Sequence, residues 1–129
     1  MQQQRNRQSA IPHLKSSAVQ GEGFMKTRSY KLRFLPLFED DLNEITDYIV
    51  NHLQNPSAAL RLIDDIEIAI NERLKSPISF APYPSTRHRP LPYYRINVKN
   101  FSIFYVVIDD TMEVRRLLYA KRNLDRFLM

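Results

Sequence analysis

The chain of 129 residues contains no cysteine, which excludes disulfide bonds, thiolate nucleophiles and thiolate metal ligands. Tryptophan is also absent, which removes one common anchor of protein interfaces. No apolar run approaches the roughly 18 residues that a membrane span needs. The polar N-terminus lacks the apolar centre of a secretory signal. We therefore expect a cytoplasmic protein with no membrane partner.

Glycine is almost missing. Its only two copies lie among the first 24 residues, so a glycine-rich phosphate loop is excluded from the rest of the chain. Residues 1–24 are rich in Gln, Ser and Arg, and we expect a flexible leader there. The alternative is that translation starts at Met25 and that residues 1–24 come from a misplaced start codon. Residues 25–129 have a length that suits one domain with a single core.

A first strand and two helices are predicted from the apolar periodicity. Tyr30, Leu32 and Phe34 alternate with Lys31, Arg33 and Leu35, which is typical of a strand. Apolar residues then recur every three or four positions, first from 38 to 53 and again from 59 to 74. Asn55 and Pro56 separate these stretches, and so short a link predicts a helical hairpin.

The second half of the chain predicts a loop followed by strands. Five of the eight prolines lie in residues 76–92, which are expected to form an irregular loop. The stretches after it break at 99–100 and at 109–110, so they predict a three-stranded antiparallel meander. The last residues are expected to be a short helix or an extended tail. This order is typical of an α+β fold, with the helical hairpin packed on one face of one sheet.

The middle strand of the meander is apolar on both faces. Phe104, Val106 and Ile108 share the face that the helices do not reach. Two interpretations stay open for this face. Either loop 76–92 or the C-terminal tail covers it, as is ordinary for a central strand, or a helix or extended segment of a partner docks on it.

Charge is distributed unevenly along the chain. Residues 37–75 carry nine acids against three Lys or Arg, and residues 76–129 carry nine Lys or Arg against four acids. The acids of the two predicted helices are expected to be solvated. The basic C-terminal third is either a solvated surface or a positive patch that contacts a polyanion or an acidic protein. The tyrosines nearby either stack on RNA bases or are simply half-buried strand residues.

Classical catalytic signatures are missing. The three histidines have no metal-ligand spacing, so no metal site is expected. No Ser-His-Asp signature and no HExxH motif occurs, and no cofactor is expected.

Two stretches together resemble the RelE/ParE toxin superfamily over about residues 28–128. They are "SYKLRFLPLFEDDLNEITDYIVNHLQNP" and "YYRINVKNFSIFYVVIDDTMEVRRLLYAKRNLDRFL". The resemblance implies a toxin of a type II toxin-antitoxin module. It also implies an antitoxin partner that wraps the toxin groove with a helix and an extended segment, in an oligomer of the two proteins.

The RelE-type branch resembles a ribosome-dependent mRNA endonuclease, in which basic residues stabilise phosphate charge and a base assists attack. For that activity the resemblance implies a catalytic set of Arg95, Tyr119, Lys121 and Arg122. Ser102 stands where this branch usually places an arginine, and Phe127 and Leu128 stand where it often ends in tyrosine or histidine. The catalytic set is therefore incomplete.

The ParE-type branch resembles an inhibitor of DNA gyrase. The spacing of apolar and charged residues in "IFYVVIDDTMEVRRLLYAKR" is similar to the usual sequence pattern of that branch, with Tyr119 in place of a common histidine. The resemblance therefore favours action on gyrase by protein contact, and a module that has lost toxicity is a third alternative. Target contact is expected at Arg116, Lys121, Arg122 and Arg126. Antitoxin contact is expected at Phe104, Val106 and Ile108.

Overall fold

The computed structural model describes residues 29–84, 89–121 and 127–128. The predicted leader and most of the predicted C-terminal tail lie outside these residues. Within the three ranges, no helix combines the length and the apolar character that crossing a membrane requires.

Four strands form one sheet, and two helices lie between the first strand and the second. The elements in chain order are β1 (Lys31–Phe34), α1 (Pro36–Asp47), a π-helical turn (Tyr48–His52), α2 (Pro56–Leu74), β2 (Tyr94–Val98), β3 (Phe101–Ile108) and β4 (Thr111–Tyr119). The strand order is β1-β4-β3-β2, with β1 parallel to β4 and the other pairs antiparallel. The predicted α+β fold and its antiparallel meander are confirmed. The pairing of β1 with β4 is additional to the prediction.

Proline marks the start of both helices. Pro36 and Pro56 stand in the first turns of α1 and α2, where a missing backbone N–H costs no intrahelical hydrogen bond. Asn55 caps α2, because its side-chain oxygen accepts a hydrogen bond of 3.1 Å from the backbone N–H of Ala58. Gln54, just before the cap, is left-handed with φ of 51°, so the chain turns sharply between the helices.

Both helices bury their apolar stripes on the same face of the sheet. The main core contains Phe38 and Leu42 from α1, Leu62, Ile66 and Ile70 from α2, and Ile96, Ile103, Tyr105, Met112, Val114 and Leu117 from the strands. Burying a Leu, Ile, Val or Phe side chain stabilises a fold by about 1.5 to 3 kcal/mol. The sheet therefore has one face fixed by the helices and a second face that needs another cover.

Tyr105 of β3 fastens the proline-rich loop to the end of α2. Its hydroxyl donates a hydrogen bond of 2.7 Å to the carbonyl oxygen of Pro77 and accepts one of 2.9 Å from Nη1 of Arg73. The guanidinium of Arg73 in turn lies 3.6 Å from the ring centroid of Phe80. Burial raises the pKa of Tyr105, against the opposing influence of Arg73. The neutral phenol is therefore the form that the fold prefers.

We expect the Tyr105 hydroxyl to make stability fall at alkaline pH. Above the ordinary tyrosine pKa of 10.0 the unfolded chain has lost this proton while the folded chain keeps it, so the free energy of unfolding decreases as pH rises. Urea unfolding from about pH 8 to about pH 11 should show a shallower decrease for Tyr105→Phe than for the wild type. Tyr119→Phe, at an exposed tyrosine of β4, is the matched control. Equal decreases in wild type and Tyr105→Phe would contradict this account.

Candidate functional site

The back face of the sheet, defined as the face opposite the helices, is covered by the chain itself. Phe104 and Val106 are fully buried there. Their cluster also contains Tyr93, Leu118 and Leu128, with Tyr83, Leu91, Ile108 and Phe127 packed against it. The ring of Tyr83 meets that of Phe104 edge to face, with the centroids 5.1 Å apart. Loop 76–92 and the C-terminal residues thus both contribute to the cover.

The cover bears directly on the predicted antitoxin residues. Of Phe104, Val106 and Ile108, only Ile108 is partly exposed. Antitoxin contact at these residues stays a prediction, and it requires the covering side chains to move away from Phe104 and Val106.

A β-bulge in β4 reorganises this part of the sheet. Phe104 faces Arg116 and Tyr105 faces Val114, which leaves Arg115 as the extra residue. An extra residue reverses the alternation of side chains, so Val114 before the bulge and Leu117 after it both reach the main core. The sequence carries a signal for this bulge, since the apolar positions of β4 change phase at the arginine doublet. The predicted meander does not include this bulge.

Arg116 joins three separate parts of the fold. Its Nε and Nη2 donate hydrogen bonds of 2.8 and 2.9 Å to the two carboxylate oxygens of Asp41 in α1. Its Nη1 donates one of 3.1 Å to the carbonyl oxygen of Phe127. The bond with Asp41, only partly offset by burial, raises the pKa of Arg116. Target contact by Arg116 stays a prediction, although all three of its nitrogens are occupied within the fold.

The expectation that the helical acids are solvated is wrong for Asp41. Its side chain is only 11% exposed, and besides Arg116 it accepts a hydrogen bond of 2.9 Å from the backbone N–H of Leu117. That bond satisfies a buried donor next to the bulge. The partner lies 75 residues away, so an acid near the start of α1 offered no local sign of it.

A second ion-pair cluster lies at the junction of β1 and β4. Glu113 accepts a hydrogen bond of 2.9 Å from Nε of Arg115 and lies 2.9 Å from Nη2 of Arg33. Arg115 also donates to the hydroxyl of Tyr93 at 3.2 Å. Burial is the largest single influence on the pKa of Arg115 and lowers it, but the hydrogen bonds to Tyr93 and Glu113 together raise it above the usual range. Arg115 is therefore a permanent cation.

Ser102 lies in a polar group of three side chains on the back face. Nε of Arg95 donates to the Ser102 hydroxyl at 3.0 Å and to Oδ1 of Asn97 at 2.9 Å. The Ser102 hydroxyl donates to the same Asn97 oxygen at 3.1 Å. Arg95 on the neighbouring strand therefore contacts Ser102 on the central strand.

The remaining predicted site residues lie at the end of β4 or after it. Tyr119 is 38% exposed and its ring packs on that of Phe101, with the centroids 5.8 Å apart. Lys121 is exposed. Arg122 and Arg126 lie outside the described residues. Among the residues that are described, no group of His, Asp and Glu is arranged to hold a metal ion.

Comparison with solved structures identifies the fold. The chain is similar to one from the chromosomal ParDE TA system of P. aeruginosa, with a TM-score of 0.60 and 21% sequence identity, covering 71% of this chain and 97% of that one. A chain of the RelB-RelE antitoxin-toxin complex from Methanococcus jannaschii matches with a TM-score of 0.42 and 26% identity, covering 74% and 99%. The α+β fold is thus one found in a ParDE system.

A family model then identifies the family. The model of the ParE toxin of the type II toxin-antitoxin system, parDE, matches residues 32–124. The chain therefore belongs to the ParE toxin family, and the predicted resemblance to the RelE/ParE superfamily is confirmed. A search of curated proteins finds no match.

We expect Asp41→Ala to destabilise the fold by about 3 kcal/mol, because it leaves Arg116 without its carboxylate and the N–H of Leu117 without its acceptor. Urea unfolding monitored by circular dichroism measures the change. Glu72→Ala is the control, since Glu72 forms an exposed pair with Lys75 on a helix surface. That change should cost less than about 0.5 kcal/mol. A loss below about 1 kcal/mol for Asp41→Ala would show that the pair is not structural.

Proposed function

We propose that this protein is a growth-inhibiting toxin that acts on DNA gyrase by protein contact and is held inactive by an antitoxin. The observation that carries the proposal is the match of the ParE toxin family model over residues 32–124. The match spans all the helices and strands except the first residue of β1.

The contacts made by the residues expected for RNA cleavage support a function by protein contact rather than by catalysis. RNA cleavage needs cations placed where phosphate charge develops and a group that accepts a proton. Ser102 brings a neutral hydroxyl to the central strand, and that hydroxyl is already bonded to Asn97. Nε of Arg95, a member of the predicted catalytic set, is bonded to Ser102 and Asn97. The neutral hydroxyl of Ser102 and the bonded Nε of Arg95 therefore leave little positive charge free to hold a phosphate at the central strand.

The end of β4 and the residues after it are the proposed target-contacting surface. Lys121 is exposed there, and so is Tyr119 two residues before it. Arg122 and Arg126 follow in the sequence and add two positive charges. Cations and a tyrosine together suit an acidic protein surface, because the charges steer the encounter and the ring supplies contact area.

The antitoxin is the second proposed partner. The matching family model is that of a toxin of a type II toxin-antitoxin system, and one similar solved structure comes from a ParDE TA system. These two findings are the reason to expect such a partner. We propose that it docks on the back face and displaces part of the cover over Phe104 and Val106. Ile108, at the partly exposed end of the same row, is the natural first contact.

RNA cleavage on the ribosome is the second candidate function, and the contact between Arg95 and Ser102 favours it. Nε of Arg95 lies 3.0 Å from the Ser102 hydroxyl, so a guanidinium occupies the neighbourhood of the missing arginine. Arg95 would then supply the positive charge from β2 in place of a residue on β3.

Inducible expression of residues 25–129 without an antitoxin separates the candidates. Gyrase poisoning predicts growth arrest with DNA breaks and a DNA-damage response while early translation continues. Prompt translational arrest with cleaved mRNA would overturn the gyrase proposal in favour of RNA cleavage. Continued growth at a verified level of folded protein would contradict both activities and leave a non-toxic interaction module.

We expect Lys121→Ala combined with Arg122→Ala to reduce growth inhibition at least tenfold, measured as the inducer concentration that halves the growth rate. Removing two cations from the proposed contact surface weakens association with an acidic target. Arg61→Ala, which removes a cation from the exposed side of α2, is the matched control and should keep full toxicity. If the double variant kept full toxicity, the end of β4 would not be part of the target-contacting surface.

A further inference from the structure

Two arginines on the back face share one carboxylate. Arg33 of β1 and Glu113 of β4 are register partners across parallel strands. Nε and Nη2 of Arg33 lie 3.0 and 2.9 Å from Oε2 of Glu113. Nε of Arg115 donates to the other oxygen, Oε1, at 2.9 Å. The side chain of Glu113 is only 8% exposed, so its charge is committed to these two partners.

The β-bulge frees Arg115 to reach Tyr93, whose ring a third arginine also approaches. Because Arg115 is the extra residue of the bulge, its side chain is released from the regular alternation of β4. It extends to Tyr93, whose ring centroid lies 5.7 Å from the Arg115 guanidinium and 5.3 Å from that of Arg89. Arg115 therefore lies between two pairings: it shares the Glu113 carboxylate with Arg33 and the Tyr93 ring with Arg89.

The cluster keeps donors available for another anion. Among the described residues no acceptor is bonded to Nη1 of Arg33 or to Nη2 of Arg115. The side chains of these arginines are 50% and 21% exposed, so a ligand reaches both from solvent. A second carboxylate on these nitrogens would relieve the excess positive charge and form charge-assisted hydrogen bonds.

The surroundings favour a carboxylate of a protein over a nucleic-acid phosphate. The chain has no glycine after residue 23, so it lacks the glycine-rich nest that commonly cradles phosphate. A phosphodiester strand along this face would also meet Asp109 and Asp110 at the turn between β3 and β4, and Glu113 itself. A single Asp or Glu side chain is smaller and comes close only to Glu113, whose one negative charge is already paired with two arginines.

We propose that Arg33 and Arg115, with Tyr93 and Arg89 beside them, form a carboxylate-binding site on the back face that takes an Asp or Glu side chain of a protein partner. This site is distinct from the end of β4 proposed for target contact. It does not depend on gyrase being the target, because it is defined by carboxylate recognition alone.

Titration of the full chain with a hexaglutamate peptide tests the site. We expect the Nε–Hε resonances of Arg33 and Arg115 to shift together in ¹⁵N NMR spectra and to yield one dissociation constant. Arg115→Gln should weaken binding about tenfold, as is typical when a charge-assisted hydrogen bond is lost. Arg115→Lys keeps the charge but not the planar fork, so it should bind with intermediate affinity.

Arg61→Gln, which removes the same charge from α2, is the control and should change the dissociation constant less than about twofold. If Arg61→Gln weakened peptide binding as much as Arg115→Gln does, binding would reflect diffuse charge attraction and the proposed site would be overturned. The proposed site would also be overturned if the peptide did not bind. It would likewise be overturned if a thymidine dodecamer displaced the peptide at a lower concentration than free hexaglutamate does. If circular dichroism shows that Arg115→Gln does not fold, Arg33→Gln supplies the same test.

Discussion

The ion pair between Asp41 and Arg116 is the constraint on which the arrangement of this toxin-family fold depends. One carboxylate of α1 binds two nitrogens of Arg116 and also the backbone N–H of Leu117. The remaining nitrogen of Arg116 binds the carbonyl oxygen of Phe127. A single pair thus sets the position of a helix against the sheet, satisfies the backbone at the bulge and anchors residues near the C-terminus.

The bulge beside this pair divides the back face into an apolar part and a cationic part. After the extra residue, Leu118 joins Phe104 and Val106 in the apolar cluster, which the loop and the C-terminal residues cover. At the extra residue itself, Arg115 turns to Glu113 and Tyr93 and creates a cationic border. A protein partner that displaced this cover would meet apolar contacts in the middle and charged donors at the edge, which is the common anatomy of protein interfaces.

Local patterns predicted the elements of this fold well, and long-range contacts account for what they missed. Apolar spacing predicted both helices, the turn positions at Lys99 and Asp109, and the two faces of β3, because periodicity is a property of neighbouring residues. Asp41 looked solvated because its partners lie in β4. The parallel pairing of β1 with β4 likewise depends on residues some 80 positions apart and leaves no local signature.

A double-mutant cycle of Asp41→Ala and Arg116→Ala tests most directly whether the two side chains act as one joint. Free energies of unfolding of the wild type, both single variants and the double variant give the coupling energy. We predict a coupling of about 2 kcal/mol or more, with the double variant little less stable than either single variant. Additive losses, with a coupling below about 0.5 kcal/mol, would contradict the role of this pair as the joint between helix, sheet and C-terminal residues.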